Sequence, residues 1–182
     1  MMAISAISVA VVQAAEIYEI DQSHSTVSFE IRHLGISKVS GRFTDYEGAI
    51  SFDEKAPEKS TVEFTIKATS IDTDNTDRDE HLRNEDFFNI EKYPDITFKK
   101  TALKKTAENT WEVTGDLKLL DVTKPITVEM ETFGPIKGSQ GETRRGAETT
   151  FKIKRSDYGM KYGIGPVGDQ VKITLAISAI KK

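Results

Sequence analysis

The sequence predicts an all-β domain of about eight antiparallel strands with one short helical insertion around residues 76–90. Three observations carry that expectation. Apolar and polar residues alternate with period two along most of the chain, the pattern of a strand with one buried face. Clusters of turn-forming residues separate the alternating runs. One stretch, DRDEHLRNEDFFNIEKYPDITF at residues 77–98, breaks the alternation, is dense in charge and carries adjacent phenylalanines.

Residues 1–15, MMAISAISVAVVQAA, contain no charge, whereas charge recurs from Glu16 onward. The run is too short to cross a bilayer as a helix. It reads as the apolar region and cleavage site of a secretory signal without its basic start, with Val12 and Ala14 placed for a cut before Ala15. Residues 1–14 are therefore expected to be a signal peptide, and residues 15–182 one exported domain.

From Ile17 the strands follow in order. Val27, Phe29 and Ile31 share one face against Ser28, Glu30 and Arg32. A weaker strand holds Tyr46, Ile50 and Phe52; the next sets Val62, Phe64, Ile66 and Ala68 against Glu63, Thr65 and Lys67. Ile96 and Phe98 mark another weak strand, and Trp111, Val113, Leu117 and Leu119 a strong one. Then come Ile126, Val128 and Met130, followed by Phe151 and Ile153, and last Val171, Ile173, Leu175 and Ile177. Strands apolar on both faces, as a parallel α/β sheet requires, are missing. A closed up-and-down barrel or a two-sheet sandwich remains. In the insertion, Thr76 is the expected N-cap, with Asp77 and Asp79 at the positive end of the helix dipole. Leu82, Phe87 and Phe88 are spaced unlike a strand, and Pro94 stops the helix. In a barrel such an excursion covers an open end, and Phe87, Phe88 and Tyr93 are its expected anchors.

Composition narrows the function. Charged residues make up 30% and hydrophobic residues 37% of 182, which suits one globular core. A net charge of −4 offers no broad basic surface for nucleic acid. The lack of cysteine excludes disulfides, thiolate nucleophiles and Cys-ligated metals. His24, His33 and His81 form no His-x-x-x-His pair, so no metal site is expected. Asp21, His24 and Ser25 are nearly contiguous, and Ser25 lies in no Gly-x-Ser-x-Gly elbow. Asp21 and Ser23 read as turn chemistry instead. Neither a catalytic residue nor a cofactor is expected.

The inward faces name a candidate ligand tunnel: Val27, Phe29, Ile31, Phe43, Phe64, Ile66, Phe98, Leu117, Leu119, Phe151, Ile153, Ile173 and Leu175. Pattern alone does not separate a hollow interior from a filled one. Arg155 shares the face of Phe151 and Ile153, and suits either an anionic head group or an ion pair with Asp157 or a carboxylate of the excursion. His33 suits either a head-group contact or a hydrogen-bonded core position. Arg78, His81 and Arg83 form either a basic rim at a mouth or a surface paired with Asp77, Asp79, Glu80 and Glu85. In the Gly-rich hairpin, Arg144 and Arg145 are expected to project, which would suit a non-catalytic sandwich that contacts another envelope protein.

The segments YEIDQSHSTVSFEIRHLGISKVSGRF at 18–43, DRDEHLRNEDFFNIEKYPDITF at 77–98, VTGDLKLLDVTKPITVEM at 113–130 and IKRSDYGM at 153–160 occur in the order seen in one family. By these segments the chain resembles the YceI family of polyisoprenoid-binding, lipocalin-like periplasmic proteins. It departs at Asp121, where the family usually has glycine in a turn; aspartate tolerates left-handed geometry. The resemblance implies an extended eight-stranded antiparallel lipocalin-like barrel holding a polyisoprenoid or isoprenoid-quinone-like lipid, no reaction, a periplasmic location, and in some members a homodimer.

Overall fold

The alternating runs become eleven strand segments that join into eight continuous strands. The computed structural model describes residues 15–53 and 55–182; the expected signal peptide at 1–14 lies outside the described residues. β1 (Glu16–Ile20) continues as β2 (Thr26–His33), β3 (Ser37–Phe43) as β4 (Tyr46–Phe52), and β5 (Thr61–Lys67) as β6 (Ile71–Asp72). β7 (Asp95–Lys105), β8 (Thr110–Leu119), β9 (Val122–Lys137), β10 (Thr143–Lys154) and β11 (Val167–Lys181) are unbroken.

Each continuous strand pairs antiparallel with the next. β3 and β4 lie on β2 and β1, β5 joins β4 to β7, and β7 through β11 follow as a meander. β11 then pairs with both β1 and β2, so the sheet closes as a barrel and the sandwich is excluded. Closure leaves no long free edge for another chain to extend.

The first break is made by Asp21. Its carboxylate accepts from the Ser23 N–H at 3.1 Å and lies 2.8 Å from His24 Nδ1. Ser25 Oγ instead donates to Asp21 O at 2.7 Å, so the three residues form a turn and not a catalytic triad. Arg144 donates to the same carboxylate at 2.6 Å and to Glu142 at 2.7 Å. Arg145 donates to Tyr18 Oη at 3.0 Å and lies 4.9 Å from the Phe52 ring centroid. The expectation that Arg144 and Arg145 project is thus corrected: both are half-buried, Arg144 between the carboxylates of Asp21 and Glu142 and Arg145 against Tyr18 and Phe52.

The excursion also differs in detail. α1 (Thr76–Arg83) is capped by Asn75, whose Oδ1 accepts from the Arg78 N–H at 2.9 Å, and not by Thr76. Asparagine is the stronger cap and sits one residue earlier, already extended at φ −152°. The helix ends at Arg83, short of residue 90, because Asn84 is extended and its Oδ1 takes the Asp86 N–H at 2.9 Å. Turns then carry the chain to Tyr93. In the β8–β9 turn the left-handed residue is Leu120, at φ 56°, and not Asp121. The turn survives the departure from glycine because the unusual backbone falls one position earlier.

Two apolar clusters lie at the excursion end. Phe87 packs with Leu117, Leu119, Tyr158 and Met160; Val27, Phe43, Tyr46 and Ile71 form the other, with Leu82 and Phe88 against it. Leu82 and Phe88 therefore tie the excursion to the barrel wall. Both also pack against the Phe87 cluster, so the excursion bridges the two.

Candidate functional site

An internal cavity of about 420 Å³ occupies the barrel. Val27, Phe29, Ile31, Phe43, Phe64, Ile66, Phe98, Leu117, Leu119, Phe151, Ile153, Ile173 and Leu175 all line it, as do His33, Arg78, His81 and Arg155. Strict period two puts them there, since the Cβ atoms of alternate residues point to one face. The interior is hollow in part because large rings rest where a facing strand has no side chain. Phe29 pairs directly with Gly41, and a Cβ on Gly41 would stand 2.5 Å from the Phe29 ring. Phe64 occupies the corresponding space over Gly48. The rings thereby cover the wall and leave the centre open.

The far end is sealed. Tyr18 is 1% and Trp111 4% exposed, and the Trp111 and Phe52 rings meet edge to face at 5.7 Å. At the opposite end the excursion contributes Arg78, His81, Leu82, Phe87 and Phe88, and the segment before β11 contributes Met160 and Tyr162. His81, Phe87 and Tyr162 form a ring cluster with centroids 5.0–5.4 Å apart.

Among the polar candidates Arg155 takes neither of the two roles expected for it. Arg155 is 2% exposed and pairs with no carboxylate among the described residues. Its guanidinium donates to the carbonyls of Gly168 (2.8 Å), Met160 (3.1 Å), Tyr162 (2.8 Å) and Val167 (3.1 Å). Asp157 instead lies 3.8 Å from Lys124. Burial lowers the pKa of Arg155 from its ordinary value, yet the carbonyl dipoles satisfy the charge. The loop 156–168 can fold back around it because Gly159 and Gly163 adopt positive φ.

His33 is exposed at the end of β2, not buried in the core, and faces the mouth. Arg78 donates to Thr73 Oγ1 and O, both at 2.7 Å; Arg83 donates to the carbonyls of Thr69 (2.8 Å) and Ile71 (2.7 Å). Buried Asp79 accepts from the Thr73 N–H at 3.0 Å. These charges therefore fasten α1 to the wall, and the self-paired surface expected for them is not formed. His81 alone keeps a carboxylate partner on the excursion, Asp86 at 3.0 Å.

Sequence reading missed Ile20, Val39, Met160, Tyr162 and Val167 in the lining. Val39 carried a signal, since it alternates with Lys38 and Ser40; Met160 and Tyr162 lie in a glycine-rich loop where periodicity gives no face.

Comparison with known proteins agrees with this geometry. Residues 18–179 match the family described as the YceI-like domain. Protein YceI of Escherichia coli is 41% identical over 167 residues, covering 91% of this chain and 87% of that protein. The crystal structure of Campylobacter jejuni YCEI protein superposes with a TM-score of 0.75 at 35% identity, over 83% of this chain and 90% of that one. A polyisoprenoid binding domain from Saccharophagus degradans shares the fold, with a TM-score of 0.72 at 17% identity, over 93% of this chain and all (100%) of that domain.

Proposed function

This chain belongs to the YceI family, and on that premise we propose that it encloses one long-chain hydrophobic ligand, a polyisoprenoid or isoprenoid-quinone-like lipid, and carries or sequesters it across the aqueous periplasm. The observation that carries the proposal is the apolar lumen. At about 24 cal/mol per Å³, a dry void of about 420 Å³ would cost on the order of 10 kcal/mol, comparable to the whole stability of a domain. Water fills such a space poorly, since each molecule needs two to four polar partners and the lining is mostly Val, Ile, Leu and Phe. An apolar chain fills it well, gaining about 0.8 kcal/mol per buried methylene. The volume falls within the range of about 300–1,000 Å³ usual for ligand pockets.

The mechanism is passive. The tail supplies most of the affinity, less the cost of ordering a flexible chain, and polar groups at the mouth orient the head. His33 and His81 are the groups placed there to do so; Arg155 spends its donors on carbonyls. Ligands with similar tails and different heads should therefore compete. The similar fold of a polyisoprenoid binding domain supports the ligand class, and an apolar, charge-free start to the chain supports export.

Uptake of a polyprenol from detergent tests the reading. Phe151→Asp places a carboxylate in the lumen and should abolish uptake. Gly41→Ala pushes the Phe29 ring inward, keeps the barrel by circular dichroism, and should shorten the longest chain accepted. Unchanged uptake by a folded Phe151→Asp variant, or an unchanged chain-length limit in Gly41→Ala, would overturn it.

A further inference from the structure

Four large apolar side chains stand exposed at the excursion end: Leu34 (57%), Ile36 (83%), Tyr162 (50%) and Ile164 (46%). They come from two neighbouring turns. The β2–β3 turn carries Leu34 and Ile36, and the segment before β11 carries Tyr162 and Ile164; the Leu34 N–H donates to Pro166 O at 2.6 Å and ties the turns together. His33, Tyr162 and Val167, from the same two segments, line the cavity. The apolar tips thus border the tunnel mouth, with His33 beside Leu34 at its rim.

Charge is distributed unevenly around this end. Residues 32–38 and 159–168 carry Arg32, Lys38 and Lys161 and no aspartate or glutamate, in a chain whose net charge is −4. Arg32 and Lys161 are exposed; Lys38 reaches Glu30 at 3.4 Å. The exposed acids of this end, Asp77, Glu80 and Glu85, lie on the excursion, so the cations are confined to the two turns. Exposed aliphatic tips, a tyrosine with an apolar body and polar end, and cations on the same turns are the features that seat a protein on an anionic lipid surface.

We propose that these two turns dock the barrel on an anionic lipid bilayer, so that the mouth opens directly against the acyl region. The inference rests on the carrier reading and supplies the step it lacks. A long apolar chain that crossed water between bilayer and lumen would be disfavoured by about fourfold in equilibrium for each exposed methylene; a docked mouth removes that crossing. Arg32 and Lys161 would meet lipid phosphates while Leu34, Ile36 and Ile164 enter the interface.

Co-sedimentation of the full chain with phosphatidylethanolamine vesicles, with and without phosphatidylglycerol, tests the proposal. The wild type should bind, more tightly when phosphatidylglycerol is present. The double variant Leu34→Asn, Ile36→Ser should bind about tenfold or more weakly and still take up polyprenol from detergent, because neither side chain lines the cavity. Asparagine tolerates the left-handed backbone at position 34, where φ is 53°. In a second measurement, the tryptophan introduced by Ile36→Trp should be quenched by brominated acyl chains, while Trp111, 4% exposed, is not. A wild type that takes up polyprenol yet ignores both vesicle types would overturn the docking and leave the carrier reading standing. Equal vesicle binding by wild type and double variant would overturn it as well. Failure to take up polyprenol would strike the carrier reading alone, since vesicle binding is read without a ligand.

Discussion

At Arg155 a full positive charge is held at 2% exposure by four main-chain carbonyls and no carboxylate. Removing it would leave four carbonyls without their donor, that of Met160 in a buried site and the others in part-buried ones. Arg155→Met should therefore cost about 3 kcal/mol or more, and Arg155→Lys should recover only part, because an ammonium offers three donors where the fork offers five. Urea midpoints at constant slope measure both. Asp21 makes the opposite kind of prediction, one in pH. Hydrogen bonds from Ser23 first, and then from Arg144, hold its carboxyl far below the usual carboxylate range. The folded value lies below the unfolded one, so its stabilising contribution is complete above about pH 4 and fades as pH falls toward the folded value. Asp21→Asn should lose stability at neutral pH and show a flatter loss between about pH 5 and pH 2 than the wild type, in urea titrations across that range. The inward position of Arg155 was legible from parity with Phe151 and Ile153. Its partners were not, since they are backbone atoms of a loop that folds back from up to thirteen residues away, and backbone carbonyls leave no mark in a sequence.

The excursion of residues 73–93 is held to the barrel by a few specific contacts. Arg83 donates to the β6 carbonyl of Ile71, Asp79 and Arg78 fasten α1 to Thr73 just after β6, and Leu82, Phe87 and Phe88 sink into the two clusters. Because α1 is one short helix with a single apolar residue, Leu82, these contacts and not helix propensity keep it in place. Asp79→Ala removes the acceptor of the Thr73 N–H and hydroxyl proton in a buried site and should cost about 1–3 kcal/mol. Hydrogen exchange should quicken across residues 73–93 while β8 through β11 stay protected; a uniform loss of protection would mean that the excursion and barrel unfold together. At this scale the sequence was legible in outline. Broken periodicity located the excursion, and the paired phenylalanines announced an anchor. The cap was misplaced by one residue because Asn75, the stronger cap, directly precedes Thr76, and the end because the Asn84 side chain takes the Asp86 N–H and offers the chain an alternative to further helix.

Over the whole molecule, alternation of period two determined both the barrel wall and the identity of its lining, because one residue of slip would turn every side chain to the other face. What alternation could not report was whether the lumen is filled. That depended on register: Phe29 stands opposite Gly41, and Phe64 opposite Gly48, so the largest rings spend their volume at the wall. Cross-strand pairing of this kind is visible only once the strands are aligned. The result is a closed shell with one sealed end, one end roofed by the excursion, and an interior whose size is too great for a packing defect and whose chemistry is poor for water.

If the interior holds a long apolar chain, that chain should travel with the protein. Native mass spectrometry of the full chain, purified without detergent from the cells that make it, followed by organic extraction of whatever is bound, should then show one stoichiometric long-chain lipid of the isoprenoid class, released on unfolding. Clean ligand-free protein that also refuses added polyprenyl and quinone lipids would contradict it.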